Sequence, residues 1–294
     1  MHQFVNLTLG GVTTGFIFAA LALALVLIWR STRVLNFAQG AMAMFSTYVA
    51  VSVIDRHGSY WLALAVALAA GLVLGAVAER LLVRHVESGP PLNAVILTLG
   101  LFIFLEAAAP MIWGGKTRSY PAHFSIVGYK VGSTSVALSP FDVFTLAAVV
   151  GVMIVLLVLF QRTDLGLRMR AAAFSPEVSR LLGVRVGRML TLGWALAALV
   201  GSLAGVLVPP ATLSSLTPNY MDAVLVFGFT AAILGGLDSP IGALVGGLGM
   251  GLALSYVGGY LSTDLETVGA LVILIVVLMA RPEGIFAGTR QRRV

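Results

Sequence analysis

The amino-acid sequence predicts an all-α integral membrane protein, a polytopic helical bundle of about eight to nine transmembrane segments, one pair of them broken. Three observations carry that expectation. Of 294 residues, 59% are hydrophobic and 10% are charged, against a charged fraction of about 25% in soluble domains. Mean hydropathy is +1.00. The apolar residues also gather into runs close to the roughly 20 residues needed to cross a 30 Å hydrocarbon core. Thirty-three glycines fit helices that approach closely, because lipid supplies no hydrophobic drive for association and packing must supply it. The chain has no cysteine, which excludes disulfides and thiolate chemistry.

The expected spans are 6–29, 36–54, 60–83, 92–113, 141–161, 189–209, the pair 221–234 and 240–257, and 266–280. The first has no basic residue before it and no small-residue cleavage site, so it is expected to stay in the mature protein and not to act as a signal peptide. Asn36 and Gln39 open the second span at capping-box spacing, which leaves them as helix caps or as lining of a path. Glu106 is an acid well inside the fourth span, about 14 residues or roughly 21 Å along it. None of its helical neighbours, Phe102, Ile103, Ala109 or Pro110, could partner it. An intramembrane carboxylate is a functional candidate by default, although water could reach it at that depth. Thr98, nearer the start of the same span, joins it as a path candidate.

Between the fourth and fifth spans, residues 114–139 are rich in glycine, serine, proline and tyrosine. They read either as a surface for an outside partner or as a connecting loop with a short β-hairpin or re-entrant turn. Residues 162–188 are the substantial polar interruption of the C-terminal half. There Ser175 precedes Pro176 and Glu177, a helix start with a capping hydroxyl, a proline in the first turn and an acid at the positive dipole end. Gly183 is the matching stop. Val178, Leu181 and Leu182 form one apolar stripe on a helix of about two turns, too short to stand alone in water, so a partner groove is expected. Gly235 and Gly236 end one helix of the broken pair, and Asp238 or Ser239 caps the next. This break is either the border of a translocation path or a tight turn.

Basic residues set the orientation. With the N-terminus outside, 14 of the 18 lysines and arginines fall inside, leaving only Arg56, Lys116, Arg118 and Lys130 outside. The polar 162–188 loop and the C-terminus are then cytoplasmic. The four histidines are scattered over loops and ends, so neither a metal site nor a Ser/His pair has support. No phosphate-cradling loop is present, and the dispersed arginines form no basic tract beside stacking aromatics, which argues against nucleic acid.

The pattern Arg162, Gly166, Arg170, Ala171, followed by Leu181 to Val184, resembles the cytoplasmic coupling segment of ABC-importer permeases, in the branch that carries branched-chain amino acids. Asn36 to Gly40, Ala231 to Gly236 with Pro240 to Ala243, and Arg281 to Gly284 agree with the same family. The resemblance covers nearly the whole chain. It implies a type II importer-like permease fold in the inner membrane, without a cofactor or an ATPase site of its own. The implied partners are a second permease, identical or related, two cytoplasmic ATPases and an external solute-binding protein. It assigns ATPase coupling to Arg170, Ala171, Glu177, Val178, Leu181, Leu182 and Gly183. Urea or short amides are alternative solutes; a stand-alone carrier or channel, or a membrane enzyme, would be a different class.

Overall fold

Each apolar run of the sequence becomes a helix. The computed structural model describes residues 2–86, 89–131, 134–135, 138–212, 215–281 and 283–286. In order these form α1 (His2–Thr32), α2 (Gln39–Asp55), α3 (Tyr60–Val77), α4 (Pro91–Trp113), α5 (Pro140–Arg162), α6 (Asp164–Phe174), α7 (Pro176–Leu181), α8 (Val186–Thr212), α9 (Asp222–Gly235), α10 (Pro240–Tyr260) and α11 (Glu266–Ala280). A two-stranded hairpin, β1 (Lys130–Val131) and β2 (Thr134–Ser135), sits between α4 and α5. Among the described residues, seven helices are long and apolar enough to cross a membrane. The other two expected spans are shorter. α2 has 17 residues and α9 has 14, or about 25 and 21 Å of helix.

The bundle has a centre and a rim. In α1 and α8 the most apolar stretch is 83% and 78% buried, whereas in α11 it is 6% buried. Small residues make the centre possible. Gly11 and Gly15 of α1 meet Gly247 and Gly251 of α10, where a Cβ on Gly251 would collide with the backbone of Gly15. Gly71 and Gly75 of α3 do the same against α8, lying on Ser202 and on Trp194.

Arginines mark one end of the bundle: Arg30, Arg84 and Arg162 close α1, the α3 extension and α5, while Arg185 and Arg188 open α8. At this basic end Arg33 pairs with Asp238 at 2.6 Å. The break between α9 and α10 is a tight turn between antiparallel neighbours, with Gly235 packed on Gly242 and Ala231 on Gly246. The pair is therefore a hairpin and not one interrupted span. Ser239 caps α10, accepting from the Gly242 N–H at 2.9 Å. Residues 283–286 return to this turn: the Ile285 and Phe286 N–H groups donate to the carbonyls of Leu234 and Gly235 at 2.9 and 3.2 Å. Pro282 of the Arg281 to Gly284 motif and the arginines beyond 286 lie outside the described residues.

At the opposite end Arg118 pairs with Asp55 at 2.6 Å, and its backbone bridges Leu216. Rings of Tyr60, Trp61, His123, Phe124 and Phe144 pack in one cluster. Nearby, burial pushes the Tyr120 phenol well above its ordinary pKa. The 114–139 segment thus contains the expected short hairpin and is tied down by aromatic stacking.

Candidate functional site

The polar segment begins with a cap. Thr163 follows α5, and its hydroxyl accepts from the Gly166 N–H at 3.1 Å. That starts α6, a helix absent from the sequence expectation. Gly166 lies directly on the backbone of Leu159 and Phe160, where a Cβ would collide, so α6 folds back against the end of α5. Ala172 of α6 then buries with Val186 and Leu190 of α8. α6 is held between two spanning helices, with Arg170 exposed and Ala171 half-buried.

α7 follows as a single ledge. Ser175 is its N-cap by position, yet its side chain makes no capping hydrogen bond. The expected hydroxyl cap is therefore absent: with φ −145° and ψ 89°, the helix starts on Pro176 and on the Ser179 N–H to Ser175 carbonyl bond of 3.0 Å. The stop is as expected. Gly183 has φ +81°, and the Gly183 and Val184 N–H groups donate to the Arg180 and Ser179 carbonyls at 3.1 and 2.9 Å, a double closure that favours glycine at the left-handed position. The stripe points outward. Val178, Leu181 and Leu182 are 52%, 87% and 78% exposed, and Phe174 is 93% exposed. Glu177 is exposed as well, and Ser179 is the one buried residue of α7. The chain itself supplies no groove for these side chains among the described residues.

Behind the ledge sits a cluster that sequence reasoning missed. α3 runs into a π-helical turn, Ala78–Leu82, and then a 3₁₀ turn, Val83–His85. Glu79 is fully buried, and Arg84 donates to it through Nε at 3.1 Å and Nη2 at 2.9 Å. Arg84 Nη2 also reaches the Gly187 carbonyl at 2.9 Å and Thr191 Oγ1 at 2.7 Å, and the Thr191 hydroxyl donates to Glu79. The ion pair, buried on its Glu79 side, thus locks the end of α3 to the first turns of α8. Its spacing hid it. On an α-helix, residues five apart point about 140° away from each other, and only the wider π turn brings them to one side.

The path candidates separate. Asn36 and Gln39 form no capping box: the N-cap of α2 is Ala38 and has no side-chain bond. Asn36 Oδ1 accepts from the Ala38 N–H at 3.0 Å, its Nδ2 donates to Gln39 Oε1 at 3.0 Å, and Gln39 Nε2 donates to the Ala197 carbonyl at 3.2 Å. Both are buried, because a polar bridge to α8 satisfies the turn better than an exposed cap would. Thr98 is buried and donates to backbone, the Leu35 carbonyl at 3.3 Å among its partners. Gly235, Gly236 and Asp238 belong to the α9–α10 turn. Glu106 has a neighbour that its own helix could not reveal, Asp222 in the first turn of α9, close enough for a side-chain hydrogen bond. Its Oε1 is buried and has no hydrogen-bond partner among the described residues.

Residues 7–280 match the family model described as the permease component of the branched-chain amino acid transport system. The chain belongs to that permease family. Its relatives include the high-affinity branched-chain amino acid transport permease LivH of Escherichia coli K12, 27% identical over 99% of this chain and 98% of its own. The Pseudomonas aeruginosa permease BraD is 26% identical over 100% and 99%. A probable LivH of Methanocaldococcus jannaschii is 28% identical over 94% and 90%. This permease is accordingly a multi-pass membrane protein and the membrane component of a transport system.

Proposed function

We propose that this permease imports a branched-chain or related amino acid, handed over by an external binding protein and driven by ATPase subunits that dock on α7. The observation that carries the reading is the outward stripe of Val178, Leu181 and Leu182 on a helix with a defined start and stop. A two-turn apolar ledge gains nothing from water. It gains a groove when an ATPase covers it. The basic end then faces the cytoplasm, in line with the positive-inside rule, and the 114–139 side faces the binding protein.

The geometry supports a route for the force. A push on α7 reaches α6 through one residue, Ser175, and α6 reaches α8 through Ala172, Val186 and Leu190. The Glu79–Arg84–Thr191 lock passes the displacement from α8 to α3. A second permease, a copy or a relative, completes the transporter.

Burying each leucine contributes roughly 1.5–3 kcal/mol. Leu181→Asp with Leu182→Asp therefore removes most of the docking energy and adds the cost of burying charge. The double variant is expected to insert in the membrane, to lose the ATPase subunits on copurification and to stop transport. Normal retention of ATPase with normal uptake would falsify the coupling role. The isolated chain is expected to show no saturable ATP binding. Identifying the ligand that copurifies with the cognate binding protein tests the solute.

A further inference from the structure

Two cavities meet at the basic end. One, of about 310 Å³, has Arg30, Ser31, Arg33 and Arg170 on its polar wall. The other, of about 390 Å³, is walled by Val150, Ile154 and Leu157 of α5 and by Ile241 and Leu244 of α10. They share Leu27, Arg30, Phe160 and Arg170, so they adjoin, a cationic pole beside an aliphatic slot. The slot follows α5 from Val150 to Phe160, about 15 Å of helix. It opens on the membrane side: Ile154, Leu157 and Ile241 are 56%, 49% and 62% exposed.

The pole has more positive charge than its surroundings neutralise. The charged groups around Arg30 are Asp238, Arg170 and Arg33. Asp238 is engaged by Arg33 at 2.6 Å. Among the described residues, neither Arg30 nor Arg170 has an ion pair or a side-chain hydrogen bond. Three guanidiniums thus face one carboxylate, beside a slot walled mostly by apolar side chains.

We propose that this space is a binding site for one anionic phospholipid, its phosphate between Arg30 and Arg170 and an acyl chain in the α5–α10 slot. The ligand follows from the chemistry. Phosphate matches the planar forked donors of arginine, and basic pockets between spanning helices at this depth suit anionic headgroups. A second copy of the chain fits poorly, since a two-fold contact here would set these cations against their own copies. A soluble anion would leave the slot unfilled.

The test uses the assembled transporter in mixed phosphatidylglycerol and phosphatidylcholine nanodiscs, released for native mass spectrometry. Retained phosphatidylglycerol is expected in preference to phosphatidylcholine. Arg30→Gln and Arg170→Gln are each expected to lower its retention about fivefold, the equivalent of roughly 1 kcal/mol per guanidinium. Ile154→Trp keeps both cations and plugs the slot, and is expected to remove the bound lipid while the melting temperature stays unchanged. Millimolar inorganic phosphate is expected to leave the lipid in place. Equal retention of both lipids, unchanged retention in all three folded variants, or displacement by phosphate would each overturn the proposal. Arg30→Gln and Ile154→Trp lie outside the residues assigned to ATPase coupling, so bound lipid in these two variants separates a failure of this proposal from a failure of the ATPase-docking reading.

Discussion

Two acids sit inside this bundle and are treated in opposite ways. Glu79 has no exposed surface, and Arg84 and Thr191 close its carboxylate with a bidentate guanidinium and a hydroxyl. Glu106 meets another acid, Asp222, and keeps one buried oxygen without a partner. A carboxylate completed by strong donors behaves as a rivet between helices, and changing it should be felt as lost stability. One left incomplete has not been optimised for stability, and such groups in membrane proteins are usually retained for function. The position of an acid within a span therefore says less than the state of its hydrogen bonds.

The contrast can be broken by substitution. The largest effect is expected for Arg84→Leu, which strands Glu79 in the interior; the loss should approach the lower part of the roughly 3–5 kcal/mol range, because Arg84 is about one-third exposed. A lowered melting temperature and yield in detergent would report it, and Glu79→Leu combined with Arg84→Met should recover much of it. Next comes Arg84→Lys, which keeps the charge but loses the forked geometry; about 1.5–3 kcal/mol is expected, the worth of a hydrogen bond to a charged group. Full stability in that variant would show that charge alone holds α3 to α8. The smallest stability effect is expected for Glu106→Gln, within about 0.5 kcal/mol, with assembly unchanged and uptake reduced. Unchanged uptake would remove Glu106 from the path and favour a structural role.

Much of the fold is readable from periodicity because a bilayer allows few alternatives. The helices fall close to the expected ranges, and Gly183 and Ser239 act at their positions as a helix stop and a helix cap. What escaped depends on relations that a linear pattern does not carry. α6 begins immediately after α5, on a threonine cap and a glycine that must touch Phe160, so no loop composition announces it. The Asn36–Gln39 spacing imitates a capping box, but a carbonyl of α8 offers Gln39 a better partner. Glu79 and Arg84 become neighbours only through a π turn, and Asp222 meets Glu106 from a helix more than a hundred positions away. Of the candidate site, the outward apolar stripe of Val178, Leu181 and Leu182 was legible because it is local. The lock behind it was not.

The return of residues 283–286 to the α9–α10 turn has a consequence for how the protein is made. α9 is complete once Gly235 has been synthesised, yet among the described residues the Leu234 and Gly235 carbonyls are answered by Ile285 and Phe286. Those residues follow α10 and α11, so at about 5–20 residues per second the ribosome delivers them some seconds later. During that interval the α9–α10 hairpin holds two open acceptors at the membrane boundary, where water is the one available donor. Closure of this seam is a late event of biogenesis, and a chain stopped before residue 283 would present an unfinished edge for quality-control proteases to find.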